Sequence, residues 1–350
     1  MKLYSVIGIM SGTSLDGIDL IHCSITKDTS YAFEIHGACT YAYSEQWKGN
    51  LAHAHTLSLE NLRTLDKDYT ILLSEFIHRF IDEHQITNLD FIASHGHTVL
   101  HQPDKKLTYQ IGNLPELAKL TGCKVICDFR VQDVELGGQG APLVPIGDRL
   151  LFSEYDACVN LGGFANISYE SKGKRLAYDI CPVNKVLNFY AEILGKPYDE
   201  GGRTAKASVV NSKLLSKLNN LQYYSSSGPK SLGIEWLEAE FLPLLDQSGL
   251  KSEEIMATCT QHFAYQISKA LDGKSKVLFT GGGTFNTYLI SLIKNQTKTE
   301  LVIPSTEVIN YKEALIFGLL GVLKQESEIN ILASVTGASK DHSSGRIFMP

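Results

Sequence analysis

Apolar positions along the chain form three strand-like runs that each end in a glycine-rich turn. The runs lie at residues 5–21, 157–168 and 276–286. In the first two, another apolar stretch follows the turn at once, and Asp16-Gly17 is a dipeptide typical of tight hairpin turns. The pattern predicts two β-hairpins that open two halves of the chain, and a third strand that ends in a glycine turn.

Between the two predicted hairpins, short apolar strands alternate with helical patterns. An apolar run at residues 91–93 precedes a helix for which Asn113 and Glu116 resemble a capping box. Gly122 is placed to end that helix before a strand at residues 124–127. This alternation is typical of the α/β class.

The second half of the chain repeats the alternation. We expect Pro182 to open a helix that buries one apolar face and stops at Gly195. A helix at residues 255–271 leads into the third glycine turn, and Asn310 with Glu313 predicts the capping box of a further helix.

Two α/β halves are therefore expected, with a cleft between them. We place the domains at residues 1–128 and 129–350, with a crossover near residues 128–140 and a last helix that can pack back on the first half. The polar tail at residues 334–350 is predicted to be a loop or a frayed end.

The composition of the chain limits the classes of partner that it is expected to bind. The chain of 350 residues has a net charge of −6 and no lysine- or arginine-rich run, which argues against nucleic acid as a main partner. Its longest apolar stretch, residues 314–323, falls well short of the roughly 20 residues of a membrane span. Seven scattered cysteines without a C-x-x-C pair favour reduced thiols in a cytoplasmic protein.

The glycine turns are candidate phosphate cradles, because glycine lets main-chain N–H groups approach an anion closely. Each turn alone is equally well explained as a plain hairpin, but two turns and a third glycine cluster together favour a split nucleotide site. No Walker P-loop occurs. The candidate ATP- and phosphate-binding residues are Ser11, Gly12, Thr13, Ser14, Asp16, Gly17, Asn160, Gly162, Gly163, Gly281, Gly282 and Gly283.

An ordered series of motifs runs from residue 6 to about residue 323. The motifs are Gly8-Ile-Met-Ser-Gly-Thr-Ser-Leu-Asp-Gly-Ile-Asp19, Ser94-His-Gly-His-Thr98, Gln110-Ile-Gly112, Asp128-Phe-Arg130, Gly137-Gly-Gln-Gly-Ala-Pro-Leu-Val-Pro145, Asn160-Leu-Gly-Gly163 and Glu313-Ala314. This ordered set resembles the anhydro-N-acetylmuramic acid kinase family, within the sugar kinase, actin and heat-shock-protein-70 superfamily. The resemblance implies two actin-like (ribonuclease H-like) domains with a nucleotide and sugar cleft between them.

This resemblance implies an ATP-dependent kinase that opens the 1,6-anhydro bond of 1,6-anhydro-N-acetylmuramic acid with water and phosphorylates O6. It implies that Asp179 is the base that activates the water, and that Glu313 helps to orient that water. Alternatives stay open for both residues. Asp179 also fits a helix-capping aspartate, and Glu313 fits the capping box with Asn310.

The resemblance further implies that His95, His97 and Thr98 contact the sugar. Arg130 can clamp the lactyl carboxylate or a phosphate oxygen, because a guanidinium fork matches both groups. The alternative for Arg130 is an ion pair at the domain crossover with Asp128 or Asp133.

Asp16 and Asp19 are candidates to hold Mg²⁺ together with the nucleotide, since Mg²⁺ favours one or two carboxylates plus phosphates. They also fit plain hairpin positions. No tightly bound metal is expected. The expected partner is a small anhydro amino sugar, with no nucleic acid or membrane, and formation of a homodimer stays open.

The chain departs from the family pattern at two places. Many members have Gly-Pro-Gly-Asn after the aspartate and a further aspartate four residues later, where this chain has Cys181-Pro-Val-Asn184 and Asn188. The family usually has glutamine where this chain has His97.

Two other functions remain open. Because the loop after Asp179 is altered, a second hypothesis is an actin-like protein that binds ATP and sugar as a sensor without turnover. A weaker alternative is a metal hydrolase. The spacing of His95, His97 and His101 is compatible with metal ligands at the end of a strand.

Overall fold

A computed structural model describes residues 1–12, 15–226 and 229–350. The predicted α/β class is confirmed. The strands are β1 (Lys2–Ser11), β2 (Gly17–Lys27), β3 (Tyr31–Ala42), β4 (Phe91–Gln102), β5 (Leu107–Ile111), β6 (Val125–Cys127), β7 (Ala157–Leu161), β8 (Phe164–Ser171), β9 (Lys174–Pro182), β10 (Lys276–Thr280), β11 (Glu300–Val302) and β12 (Arg346–Phe348). The helices are α1 (Glu45–His53), α2 (Leu59–Glu83), α3 (Glu116–Thr121), α4 (Val131–Glu135), α5 (Pro145–Leu151), α6 (Asn184–Ile193), α7 (Arg203–Lys206), α8 (Ser212–Asn219), α9 (Ile234–Trp236), α10 (Leu242–Asp246), α11 (Ser252–Ala270), α12 (Thr287–Lys294), α13 (Thr306–Gln325) and α14 (Ala333–Thr336).

Contacts divide the chain into two compact units. The first unit combines Met1–Leu151 with Tyr311–Pro350, and the second unit is Phe152–Asn310. The domain division that we expect between residues 128 and 129 stays a prediction.

The first unit contains a sheet with the strand order β12-β6-β4-β1-β2-β3, and β5 pairs with β4. β1 and β2 form the predicted antiparallel hairpin, whereas β1 pairs in parallel with β4, and β4 with β6. Helix α13 approaches β1 very closely at Gly8, where an added Cβ would lie 2.0 Å from the carbonyl oxygen of Ala314. Only glycine leaves room for this contact.

Both predicted capping boxes are wrong. Helix α3 has Pro115 at its N-cap without a side-chain cap, and the Asn113 amide instead donates to the carbonyl oxygen of His95 at 3.3 Å. Helix α13 begins before Asn310 and Glu313, and the N–H of Val308 donates to Oγ of Ser305. The end of α3 at Gly122, in a left-handed conformation, is as predicted.

Most of the polar tail, residues 337–345, is a loop as predicted, but the tail is not frayed, because helix α14 precedes this loop and strand β12 follows it. β12 pairs antiparallel with β6 along the edge of the sheet. Before β12, the Asn330 side chain donates to the carbonyl oxygen of Ser344 at 2.9 Å and accepts from its N–H at 2.7 Å. These buried hydrogen bonds hold the tail against the first unit, a role that apolar side chains play elsewhere in the core.

The second unit contains a sheet with the order β11-β10-β7-β8-β9. The predicted hairpin of β7 and β8 is present, and β10 pairs in parallel with β7. Pro182 ends β9 and does not open α6, which begins at Asn184. The apolar face of α6 is buried as predicted, and the predicted helix before the third glycine turn is α11.

Candidate active site

In the first unit, the ends of β1 and β4 bring two predicted site residues together. Ser11 pairs with His97 across the two parallel strands, and Oγ of Ser11 lies 2.8 Å from Nδ1 of His97. The same oxygen lies 2.7 Å from the hydroxyl of Tyr43, which lies 2.8 Å from the hydroxyl of Tyr69. The sequence analysis missed both tyrosines, since neither belongs to a local motif.

Arg130 is held by two hydrogen bonds. Its Nε donates to Nε2 of His95 at 2.7 Å, and its Nη1 donates to the carbonyl oxygen of Gly140 at 2.6 Å. Burial, with Arg130 as a second cause, keeps the pKa of His95 well below its ordinary value. Burial also lowers the pKa of Arg130 to about 10, although nearby Glu313 and Asp133 act to raise it. His95 is therefore a neutral acceptor that orients the guanidinium.

The alternative of an ion pair between Arg130 and Asp128 or Asp133 is not found. Asp128 lies 3.0 Å from Nε of Arg346 on β12. Asp133 accepts the N–H of Gly140 and the hydroxyl of Thr336, each at 2.7 Å. Asp133 thus fixes the glycine loop whose carbonyl oxygen binds Arg130, and the C-terminal residues support that loop.

Arg130 and Asp19 each lie within electrostatic reach of Glu313. Glu313 is exposed, yet desolvation by the surrounding protein raises the pKa of its carboxyl; Lys312 and Arg130 oppose this, and Asp19 adds to it. Asp19 accepts the hydroxyl of Thr40 at 2.6 Å, and burial raises its pKa. The first unit thus brings Arg130, the candidate catalytic carboxylate Glu313 and the Mg²⁺ candidate Asp19 into one polar neighbourhood.

The hairpin turn between β1 and β2 is only partly described. Thr13 and Ser14 lie outside the described residues. Gly12 follows β1 directly, Asp16 is exposed, and Gly17 begins β2. Because Ser11 directs its hydroxyl to the hydroxyl of Tyr43 and the ring of His97, its side chain is already engaged within the protein.

In the second unit, the turn of the β7–β8 hairpin lies against the start of α6. The carbonyl oxygen of Gly163 accepts the N–H of Val183 at 2.8 Å, and that of Gly162 accepts the N–H of Asn184 at 3.3 Å. These carbonyl oxygens replace the side-chain cap that α6 lacks. The predicted phosphate turn is therefore also the N-terminal cap of a helix.

The third glycine turn meets this hairpin at the ends of the parallel strands β7 and β10. Gly281 has φ +83°, and an added Cβ would lie 2.5 Å from Oδ1 of Asn160. Gly283 backs onto Leu161, whereas Gly282 faces open space. The second unit thus brings Asn160 and its two glycine turns together, as the sequence predicts for one nucleotide site.

Asp179 lies inside β9 and is held by the segment that follows α8. Its N–H donates to the carbonyl oxygen of Lys230 at 3.0 Å, its Oδ2 accepts the N–H of Leu232 at 2.8 Å, and its carbonyl oxygen accepts the hydroxyl of Tyr223. Burial raises the pKa of Asp179, which the Leu232 hydrogen bond opposes. The helix-cap alternative is wrong, because Val183 is the N-cap of α6.

Tyr223 and Lys230 are further residues that the sequence analysis did not assign. Nζ of Lys230 donates to the carbonyl oxygens of Tyr223 and Ser226 and lies 4.3 Å from the centre of the Tyr223 ring. This cation–π contact and the two hydrogen bonds fold the segment onto Asp179.

Comparison with known proteins decides the family. The family model described as "Anhydro-N-acetylmuramic acid kinase" matches residues 4–350. This chain belongs to that family. It is 32% identical to the anhydro-N-acetylmuramic acid kinase of Hydrogenovibrio crunogenus, with 100% of this chain and 98% of the relative covered. It is 31% identical to that of Vibrio cholerae, with 98% of each chain covered.

Among solved structures, the chain is similar to component A of the (R)-2-hydroxyglutaryl-CoA dehydratase of Acidaminococcus fermentans. The TM-score is 0.46 with 16% identity, over 90% of this chain and 96% of the other. A likeness this distant says nothing about chemistry.

This member of the anhydro-N-acetylmuramic acid kinase family fills its altered loop with apolar side chains. Cys181 and Val183, at positions where many members have glycine, are fully buried in the core of the second unit. Asn188 lies on α6. The loop is thus anchored by packing.

Three histidines of β4 do not form a metal centre. His95 accepts from Arg130 and His97 contacts Ser11, while Nδ1 of His101 lies 3.1 Å from the Thr108 hydroxyl. Gln110 donates to Thr108 and also to Thr98, at 3.4 Å. Within residues 1–12, 15–226 and 229–350, no group of three or more metal-binding side chains is found, and no helix is long and apolar enough to cross a membrane.

Proposed function

We propose that this protein is an ATP-dependent kinase that hydrolyses the 1,6-anhydro bond of 1,6-anhydro-N-acetylmuramic acid and phosphorylates O6. The products are N-acetylmuramic acid 6-phosphate and ADP. The observation that carries the proposal is membership of the anhydro-N-acetylmuramic acid kinase family over residues 4–350, with relatives covered along nearly their whole length.

We propose Asp179 as the base that takes a proton from the attacking water. A raised pKa makes an ionised carboxylate a stronger base, provided that it remains ionised at the working pH. The Leu232 hydrogen bond fixes Oδ2, and the described residues place no hydrogen-bond donor on Oδ1. Oδ1 is therefore the oxygen that receives the proton.

For the first unit, we propose that Arg130 binds an anionic group of the substrate and that His95, His97 and Thr98 contact the sugar. The two hydrogen bonds of Arg130 fix the plane of its guanidinium before substrate arrives. Such preorganisation favours binding of a planar carboxylate. Glu313 is proposed as the carboxylate that helps to orient the water.

For ATP, we propose that the glycine turns hold the phosphates. Phosphoryl transfer depends mainly on positioning and on charge stabilisation. Asp16 and Asp19 supply carboxylate oxygens of the kind that Mg²⁺ prefers, and Thr40 occupies only one oxygen of Asp19. Bound Mg²⁺ would neutralise charge on the transferring phosphate.

We also propose a cytoplasmic location. All seven cysteines are free thiols, and most are buried. Free thiols persist in a reducing compartment.

The test is ADP release by the purified protein with Mg²⁺-ATP and 1,6-anhydro-N-acetylmuramic acid, with the product mass measured. N-acetylmuramic acid and N-acetylglucosamine serve as control sugars. A product heavier than the substrate by one phosphate and one water supports both half-reactions. Sugar-dependent stabilisation without ADP release would instead favour a sensor.

A further inference from the structure

A buried row of hydroxyl groups ends on His97 in the first unit. The row runs from Tyr69 through Tyr43 and Ser11 to Nδ1 of His97, with successive distances of 2.8, 2.7 and 2.8 Å. Tyr69 is fully buried, and the other three residues are 3% exposed or less. The reaction described above assigns no role to the two tyrosines.

The protons of this row can be counted. Each of the three hydroxyls has one proton to donate, and the row contains three hydrogen bonds. Among the described residues, the hydrogen bond found for the hydroxyl of Tyr69 is the one to Tyr43. Tyr69 therefore passes its hydrogen bond toward His97, and the last hydroxyl, that of Ser11, donates to Nδ1.

A proton on Nδ1 would reverse the row. His97 would then donate to Ser11, so four protons would share three hydrogen bonds and one buried hydroxyl of the row would have no acceptor within it. A buried polar hydrogen without a partner is unfavourable and rare in native proteins. Burial in addition lowers the pKa of His97 to about 4, which keeps its ring neutral near pH 7.

We infer that Ser11, Tyr43 and Tyr69 hold His97 as the neutral tautomer protonated on Nε2, so that His97 offers the amino sugar a hydrogen-bond donor and no acceptor. The part of this inference that concerns the sugar rests on the proposed function. In the described part of the chain, the hydrogen bond found for the His97 ring is the one from Nδ1 to Ser11, which leaves Nε2 as the nitrogen that can contact a ligand.

This assignment gives His97 a hydrogen-bonding property that a glutamine at the same position would not have. A glutamine amide can donate or accept by turning about its last bond, whereas an imidazole in a fixed tautomer cannot. The group of the sugar that contacts His97 is therefore an acceptor oxygen, of the ether, carbonyl or carboxylate class.

Nitrogen NMR of the ring tests the tautomer on the protein alone, with His97→Gln identifying the resonances. We expect Nδ1 to resonate as an unprotonated nitrogen and Nε2 as a protonated one, with no titration between about pH 5 and 8. A protonated Nδ1 would overturn the inference. Because no substrate is present, this result is independent of whether ADP release is observed.

Ser11→Ala tests the row, and Ser5→Ala is its matched control. Oγ of Ser5 lies 2.9 Å from Nε2 of His22 on the same sheet, away from His97. We expect Ser11→Ala to let His97 titrate at higher pH and to raise KM for the sugar about tenfold, the value of one hydrogen bond. Unchanged titration of His97 in Ser11→Ala would contradict the inference, and Ser5→Ala should leave both quantities unchanged.

A matched pair at His97 tests the donor. Glutamine can supply an N–H, whereas a glutamate of the same shape accepts when it is ionised. We expect His97→Gln to keep KM for the sugar within about threefold and His97→Glu to raise it about 100-fold or more. Equal KM values for the two variants would overturn the donor assignment.

Discussion

The N–H of Leu232 donates a 2.8 Å hydrogen bond to Oδ2 of Asp179, at a site where the sequence alone offers a helix cap as an equal explanation. With the main-chain contacts to Lys230 and Tyr223, it fixes both the strand and the carboxylate of the proposed base. The base therefore depends on a segment about fifty residues further along the chain.

Replacement of the base should separate binding from turnover. Asp179→Asn keeps an oxygen for the N–H of Leu232 but loses the basic lone pair, so turnover should fall by about 10²- to 10⁴-fold. ATP affinity, measured by calorimetry, should be unchanged because the glycine turns are untouched. Full activity of Asp179→Asn would remove the assignment of Asp179 as base.

The raised pKa of Asp179 predicts opposite effects of pH on activity and stability. The base is active when ionised, so kcat should fall as the pH drops through a pKa that lies above the ordinary aspartate value. A folded-state pKa above the unfolded one contributes stability that is present at low pH and lost as pH rises through the folded-state pKa.

Asp179→Asn should therefore unfold at a higher temperature than the unaltered protein at pH 7, and this advantage should shrink as pH is lowered. Thermal unfolding at several pH values measures it. A destabilised Asp179→Asn at neutral pH would mean that the ionised carboxylate stabilises the fold.

Removal of the Tyr223 hydroxyl should make the position of Asp179 less fixed, while the phenyl ring that remains still fills its place in the core. Tyr223→Phe loses the hydrogen bond to the carbonyl oxygen of Asp179, and we expect kcat to fall about tenfold with a shifted acid limb of the pH profile. Tyr224→Phe is the control, since its hydroxyl lies 3.0 Å from Nε2 of His262 instead. It should lower stability and leave the pH profile unchanged; equal profiles for both variants would contradict a positioning role.

Neighbouring glycines of the third turn should respond differently to alanine. Gly281→Ala places a Cβ 2.5 Å from Oδ1 of Asn160 at φ +83°, so it should destabilise the protein by about 1–3 kcal/mol and raise KM for ATP. Gly282→Ala points into open space and should keep the stability of the fold. Thermal unfolding and ATP kinetics of the pair provide the comparison. Equal stability of the two variants would refute this reading of the turn.

Local sequence patterns predict those parts of the fold that depend on neighbouring residues alone. The hairpins around Gly17 and Gly162 follow from turn residues between apolar runs, and Gly122 ends its helix as expected. Asn113 and Asn310 were misassigned as helix caps because tertiary contacts took precedence over a local motif. Asn113 bonds His95 instead, and α13 starts earlier, at Thr306.

In the candidate site, too, the sequence predicts residues that belong to local motifs and misses those that distant contacts bring in. Motifs pointed to Ser11, His97 and Arg130, and the structure joins Ser11 to His97 and Arg130 to His95, while the roles of these residues toward a ligand stay predictions. Tyr43 and Tyr69 could not be predicted, because their hydroxyls reach Ser11 only after β3 and α2 pack on the sheet. Contacts between distant parts of the chain leave no local signal.

The discontinuity of the first unit has a consequence for synthesis on the ribosome. Its sheet is completed by β12, whose pairing with β6 requires residues made after the entire second unit. Because domains fold as their residues emerge, Phe152–Asn310 can become compact while the β6 edge is still unpaired. The nascent chain therefore exposes an open strand edge until Tyr311–Pro350 arrives, and this interval is when chaperone binding would protect it most.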